Sequence, residues 1–245
     1  MTSPDFAYAA AVLALAYFVR GISGFGSGLI AVPLLALRFP LPEVVPFMLL
    51  ADFGAAALVG GISLHAVAWS EIRRLLPATV AGVVLGTQLL VSLPPALLLT
   101  LLGAFVLAFA LRSLLLKQHG FRPASRHWAW PAALTGGAVS GLFGTGGPPY
   151  VIYLSHRINE KGSLRATLSA LFFLEGLLRI VTFLIAGLLV GVEVWRHALF
   201  AAPVIVAALY LGSHVHARLS DRQMLQGVSL LLLGSAVSLL VKAWW

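Results

Sequence analysis

An all-α polytopic membrane protein is the fold this sequence predicts: two inverted repeats, each a re-entrant Gly-rich helical hairpin followed by three transmembrane helices. Three observations lead there. The 245 residues are 60% hydrophobic and only 10% charged, with a mean hydropathy of +0.99. Six apolar segments are long enough to span a bilayer. Two further apolar regions are each cut by a run of glycines at a corresponding place in the two halves.

A soluble domain carries about 25% charged residues. This chain has too few polar side chains to cover a water-facing surface, so lipid must solvate much of it. The formal charge of +8 does not indicate nucleic acid, because the basic residues fall in short loops between apolar spans. The absence of cysteine excludes disulfides, thiol catalysis and cysteine metal sites. The start, Met1-Thr2-Ser3-Pro4-Asp5, lacks the positive region of a cleavable signal peptide. No cofactor or metal site is expected. His214 and His216 are close enough to share a metal, but loop histidines are far more often plain surface residues.

A full span needs roughly 20 apolar residues. The six that qualify are 44–64, 75–93, 95–116, 164–191, 197–213 and 224–243. Four shorter apolar segments, 6–19, 28–37, 128–143 and 148–156, form two pairs. Arg20-Gly-Ile-Ser-Gly-Phe-Gly-Ser-Gly28 interrupts the first and Gly144-Thr-Gly-Gly-Pro-Pro149 the second. Read as hairpins, these pairs leave four loops on one side carrying eleven basic residues, against three (Arg38, Arg196, Lys242) on the other. Read as broken crossings, they give eight against six. The positive-inside rule favours hairpins, with both termini periplasmic. Arms of about 10–16 residues reach roughly 15–24 Å, short of a ~30 Å hydrocarbon core, so the hairpins are expected to be re-entrant.

The organisation that follows is a first repeat at 1–117 (hairpin 6–37), a basic cytoplasmic linker at 118–127 and a second repeat at 128–245 (hairpin 128–156). Ser-Gly-Phe-Gly-Ser-Gly at 23–28 parallels Ser-Gly-Leu-Phe-Gly-Thr-Gly at 140–146, and prolines follow both. Leu85-Gly86-Thr87 matches Leu211-Gly212-Ser213, and Leu102-Gly103-Ala104 matches Leu233-Gly234-Ser235. Inverted repeats with interrupted helices in corresponding positions point to a secondary transporter. Isolated glycines such as Gly103 and Gly234 suit close helix packing instead.

Irregular backbone survives at membrane depth only where protein or a wet cavity surrounds it. A helix beginning after each break would aim free N–H groups at an anion. The candidate ligand-binding residues are therefore Arg20, Ser23, Gly24, Gly26, Ser27 and Gly28 in the first break, and Ser140, Gly144, Thr145, Gly146 and Gly147 in the second. Facing tips would make one small oxyanion site. Arg179, inside span 164–191, joins the list as an intramembrane cation, although Glu175 at i−4 can pair with it along the helix. Asp52 and Glu175 are the only acids inside the predicted full spans, and either can carry a coupling proton. Trp69, Trp128, Trp130, Trp195, Trp244 and Trp245 suit interfacial anchors.

The motif pair Arg20-Gly-Ile-Ser-Gly-Phe-Gly-Ser-Gly-Leu-Ile-Ala-Val-Pro33 and Ser140-Gly-Leu-Phe-Gly-Thr-Gly-Gly-Pro-Pro149 resembles the sulfite exporter TauE/SafE family, also described as the toluene sulfonate uptake permease family. The resemblance covers essentially the whole chain. It implies a bacterial inner-membrane carrier for sulfur oxyanions or organosulfonates, with a small anion and the lipid bilayer as partners and no nucleic acid. Small-xxx-small surfaces also suit a homodimer.

Two other classes compete. The same site can serve an anion channel. Gly21-Ile-Ser-Gly24 matches the pattern of a rhomboid intramembrane protease, whose serine needs a histidine base, and no histidine lies deep inside a full span.

Overall fold

A computed structural model describes residues 3–23, 26–59, 64–115, 125–215 and 221–244. Ten α-helices run through them: α1 (Ser3–Ser23), α2 (Ser27–Leu35), α3 (Leu41–Val59), α4 (Trp69–Ser92), α5 (Pro95–Leu115), α6 (Ala129–Phe143), α7 (Gly147–Ser155), α8 (Lys161–Ile185), α9 (Val192–Val215) and α10 (Asp221–Trp244). The described residues contain no strand. Five segments have the length and hydropathy to cross a membrane: Pro4–Ile22, Trp69–Ser92, Pro95–Leu115, Lys161–Ile185 and Val192–His214. The chain is a multi-pass membrane protein. Large apolar side chains such as Leu85, Leu101, Phe200 and Leu211 face outward, which only a lipid solvent tolerates in such number. Trp69, Trp128, Trp130, Trp195 and Trp244 are exposed at or near helix ends, as interfacial anchors are. Trp245 lies outside the described residues.

Several boundaries differ from expectation. The expected first hairpin arm, 6–19, is too short to cross; α1 instead has 21 residues and reaches about 31 Å. It continues through Gly21 because that glycine is packed. A Cβ there would meet the Leu209 carbonyl oxygen at 2.6 Å, and one at Gly212 would meet that of Phe18 at 2.2 Å. The glycines let α1 and α9 approach backbone to backbone. Span 75–93 begins six residues earlier, at Trp69, which brings Glu71 into a helix. Span 44–64 appears as α3, ending at Val59, with 60–63 outside the described residues.

The chain divides into two compact units, and each draws on both halves of the sequence. The first comprises Met1–Ala55, Leu93–Lys117 and Gly191–Trp245. In it α1 packs on α9 and α2, while α5 packs on α10. Tyr8 Oη donates to the Leu34 carbonyl at 2.6 Å. Lys242 Nζ donates to the Ala36 and Leu37 carbonyls at 3.2 and 2.9 Å, placing a cation on the C-terminal end of α2, where the helix dipole favours it.

The second unit comprises Ala56–Ser92 and Gln118–Val190. Here α4 packs on α6 along a seam of glycines. A Cβ at Gly82 would lie 2.4 Å from the Leu134 carbonyl oxygen, at Gly86 2.2 Å from that of Ala138, and at Gly141 2.4 Å from that of Val83. Leu75, Ala78, Ala129, Ala133, Tyr150, Tyr153, Leu154 and Leu171 form the buried core beside the seam. Of the two isolated glycines expected to serve packing, Gly103 does so, against Leu240. Gly234 has nothing within 4 Å of a built Cβ, so close approach does not explain it.

Candidate functional site

Both breaks are built on glycine. Gly26 precedes α2 at φ 96° and Gly144 follows α6 at φ 73°, conformations that L side chains rarely adopt. The Gly144 N–H closes α6 by donating to the Ser140 carbonyl at 2.8 Å. Gly28 lies buried in the first turn of α2. Gly24 and the side chain of Ser23 lie outside the described residues.

In the first unit, four residues from three helices meet. Tyr17 and Arg20 are one turn apart on α1, so they share a face. Ser27 opens α2, and Asp52 comes from the middle of α3. All three donors reach a single oxygen, Asp52 Oδ1: Tyr17 Oη at 2.7 Å, Ser27 Oγ at 2.7 Å and Arg20 Nη1 in an ion pair. Arg20 Nη1 also donates to Ser27 Oγ at 3.2 Å, and Nη2 to the Asp52 carbonyl at 3.4 Å. Tyr17 is fully buried and Ser27 nearly so. The Arg20 and Asp52 side chains keep 16% and 25% of their surface exposed. Arg20, expected at the mouth of the break, engages Asp52.

The second unit repeats the theme with different suppliers. Glu175, on α8 and 5% exposed, accepts from Tyr150 Oη of α7 at 3.0 Å. Ser140, in the last turn of α6, also hydrogen-bonds to it. Thr79 Oγ1 of α4 lies 3.1 Å from Tyr150 Oη. Arg179, one turn beyond Glu175, is buried with its guanidinium carbon 5.3 Å from the centre of the Phe183 ring, and its charge acts on Glu175. Gly146 sits where a Cβ would meet the Gly136 carbonyl oxygen at 2.4 Å and Glu175 Oε1 at 3.2 Å. Gly147 has no such contact closer than 3.6 Å. Thr145 is 6% exposed, and its Oγ1 has no hydrogen-bond partner among the described residues. A buried hydroxyl left so costs about 1–3 kcal/mol.

The two helix N-termini are unequal as anion binders. The first four residues of α2, Ser27 to Ile30, all carry N–H groups. The first four of α7, Gly147 to Tyr150, include Pro148 and Pro149, which have none. The first turn of α2 thus carries four backbone N–H groups and that of α7 two.

Sequence reasoning missed Tyr17, Tyr150 and Thr79. A tyrosine one turn before an intramembrane arginine was an available signal, since a buried phenol needs a partner. It also missed Glu71, a second buried acid besides Glu175, which accepts from Tyr153 Oη at 2.7 Å and from Arg157 Nη2 at 3.0 Å.

The chain matches the family described as "Sulfite exporter TauE/SafE" over residues 9–239. It is 26% identical over 200 residues to the probable inner membrane transporter protein TsaS of Comamonas testosteroni, covering 80% of this chain and 82% of that protein. It is 28% identical over 211 residues to the probable sulfite/organosulfonate exporter TauE of Cupriavidus necator, covering 82% and 80% respectively. No solved structure matches it.

Proposed function

Because the chain belongs to the sulfite exporter TauE/SafE family, we propose that it is a secondary transporter carrying a small sulfur-containing anion, sulfite or an organosulfonate, across the bacterial inner membrane. The substrate class follows the description of the Cupriavidus relative, and the membrane that of the Comamonas relative. One observation carries the reading. Three hydrogen-bond donors, one of them cationic, converge at the first break on one negatively charged oxygen, which is the chemistry of an oxyanion site.

Transport proceeds by alternating access, with the hairpin breaks as binding elements. An inverted repeat of α1–α5 and α6–α10 underlies it, and the pairing of helices supports this reading. Each hairpin's first arm packs through glycines on the fourth helix of the other repeat: α1 on α9, α6 on α4. The helix after each hairpin brings a carboxylate to a tyrosine and to a hydroxyl of the break. Ser27, Ser140 and Thr145 supply hydroxyl donors, Arg20 and Arg179 the positive charge, and Glu175 or Asp52 the coupling proton.

The test is counterflow. Proteoliposomes loaded with unlabelled sulfite should take up radiolabelled sulfite faster than empty ones, saturably, and the Arg20→Gln/Arg179→Gln double variant should not. Linear flux without counterflow would make the protein a channel. No flux of sulfite, methanesulfonate or taurine would overturn the substrate class, and full activity of the double variant would remove both arginines from the site.

A further inference from the structure

We propose that Asp52 is a built-in anion that occupies the donor cluster of the first break when no substrate is present, and that the substrate binds by displacing it. This inference rests on the transporter reading above and specifies how its site is kept.

The geometry is that of an occupied site. Tyr17, Arg20 and Ser27 direct their donors at one atom, Asp52 Oδ1, rather than spreading over both oxygens as an ordinary structural ion pair would. Two of these residues flank the break, and one opens a helix whose first four N–H groups are all present. Such a cluster without an anion would leave a largely buried arginine uncompensated, which is costly. A tethered carboxylate removes that cost.

The carboxylate is also placed to leave. It comes from α3, whereas its donors come from α1 and α2, so it can withdraw while the donors stay together. Its side chain is 25% exposed, so one face is open to an incoming ion. Gly54, two residues on, has nothing within 4 Å of a built Cβ, so this face of α3 is open beside the carboxylate. Tyr17 is fully buried beneath it and holds the donor set from behind.

The exchange trades one anionic oxygen for another on the same three donors. It discriminates by charge and size: a neutral molecule cannot replace the carboxylate, and a bulky anion cannot reach all three donors. Among the described residues, the groups that meet the Asp52 carboxylate are Tyr17 and Arg20 of α1 and the Ser27 hydroxyl of α2.

The experiment compares binding of sulfite and methanesulfonate by wild type and Asp52→Asn, using the full chain in detergent and thermal stabilisation as the readout. Asparagine is the same size but a weaker acceptor, so the variant should bind at least ten times more tightly. In wild type, anion addition should also change an infrared carboxylate stretching band, and that band should be missing from the variant's difference spectrum. This second readout needs no variant to detect displacement, so it still decides the matter if Asp52→Asn does not fold. Equal or weaker binding by the variant, or an unchanged carboxylate band while wild type binds, overturns the inference and leaves the transporter reading standing. Failure of both proteins to bind either anion overturns both.

Discussion

Tyr153 donates a 2.7 Å hydrogen bond to Glu71, joining the last turns of α7 to the first turn of α4. The same carboxylate takes Arg157 Nη2 at 3.0 Å and Arg74 Nη1 at 3.0 Å. Glu71 is 6% exposed, so α7 is held at its far end by a buried acid.

Glu71→Ala should therefore lower stability, leaving a buried tyrosine hydroxyl and two arginines without their acceptor. The arginines are partly exposed, which limits the loss to about 2 kcal/mol. Tyr153→Phe should cost about 1 kcal/mol. Unfolding of the reconstituted protein in dodecyl sulfate checks both, and wild-type midpoints would remove the anchor.

Gly86→Ala and Gly212→Ala should be the most damaging single-methyl changes in their helices. Each new Cβ would lie 2.2 Å from a backbone carbonyl oxygen, and backbone cannot step aside as a side chain can. Overpacking of this kind costs about 1–3 kcal/mol. Gly234→Ala meets nothing within 4 Å and should gain up to about 1 kcal/mol from helix propensity. The thermal midpoints of the three variants should rank accordingly.

Thr145→Val should leave stability unchanged or slightly raised, because the Oγ1 it removes has no partner among the described residues. If that hydroxyl serves the ligand, sulfite affinity should fall about fivefold to tenfold, the value of one hydrogen bond. Thr145→Ser should restore it. Unchanged affinity in both would place the hydroxyl outside the site.

Glu175→Gln should separate exchange from accumulation. A glutamine keeps an acceptor for Tyr150 Oη but cannot carry a proton. Sulfite counterflow should persist at a comparable rate, while uptake driven by an imposed pH gradient should disappear. Gradient-driven uptake at the wild-type level would exclude Glu175 as the coupling group.

What could be read from the sequence follows the range of the interaction. Span 95–116 matches α5, Pro95–Leu115, within one residue, because hydropathy is local and strong there. The breaks at Gly26 and Gly144 were legible because positive φ selects glycine. The length of α1 was not, since its last turns depend on α9, nearly two hundred residues away. Gly21 illustrates the difficulty: a glycine in a broken helix and a glycine in a helix seam look alike in sequence. The partners of Asp52 were hidden for the same reason. Its position between two apolar runs marked it as unusual, but only the fold brings Tyr17, Arg20 and Ser27 to it.

The glycine seams also bear on synthesis. Residues 1–55 are made first, yet the helix that grips α1 through Gly212 lies in the last fifth of the chain. The second unit has all its parts once Val190 has left the ribosome; the first must wait for the end of translation. During that interval α1 sits in the bilayer with its seam uncovered. A chain stopped near residue 190 would carry one finished unit and one unfinished. Two fragments cut within 118–124 would have to be expressed together, each supplying the helix that the other lacks.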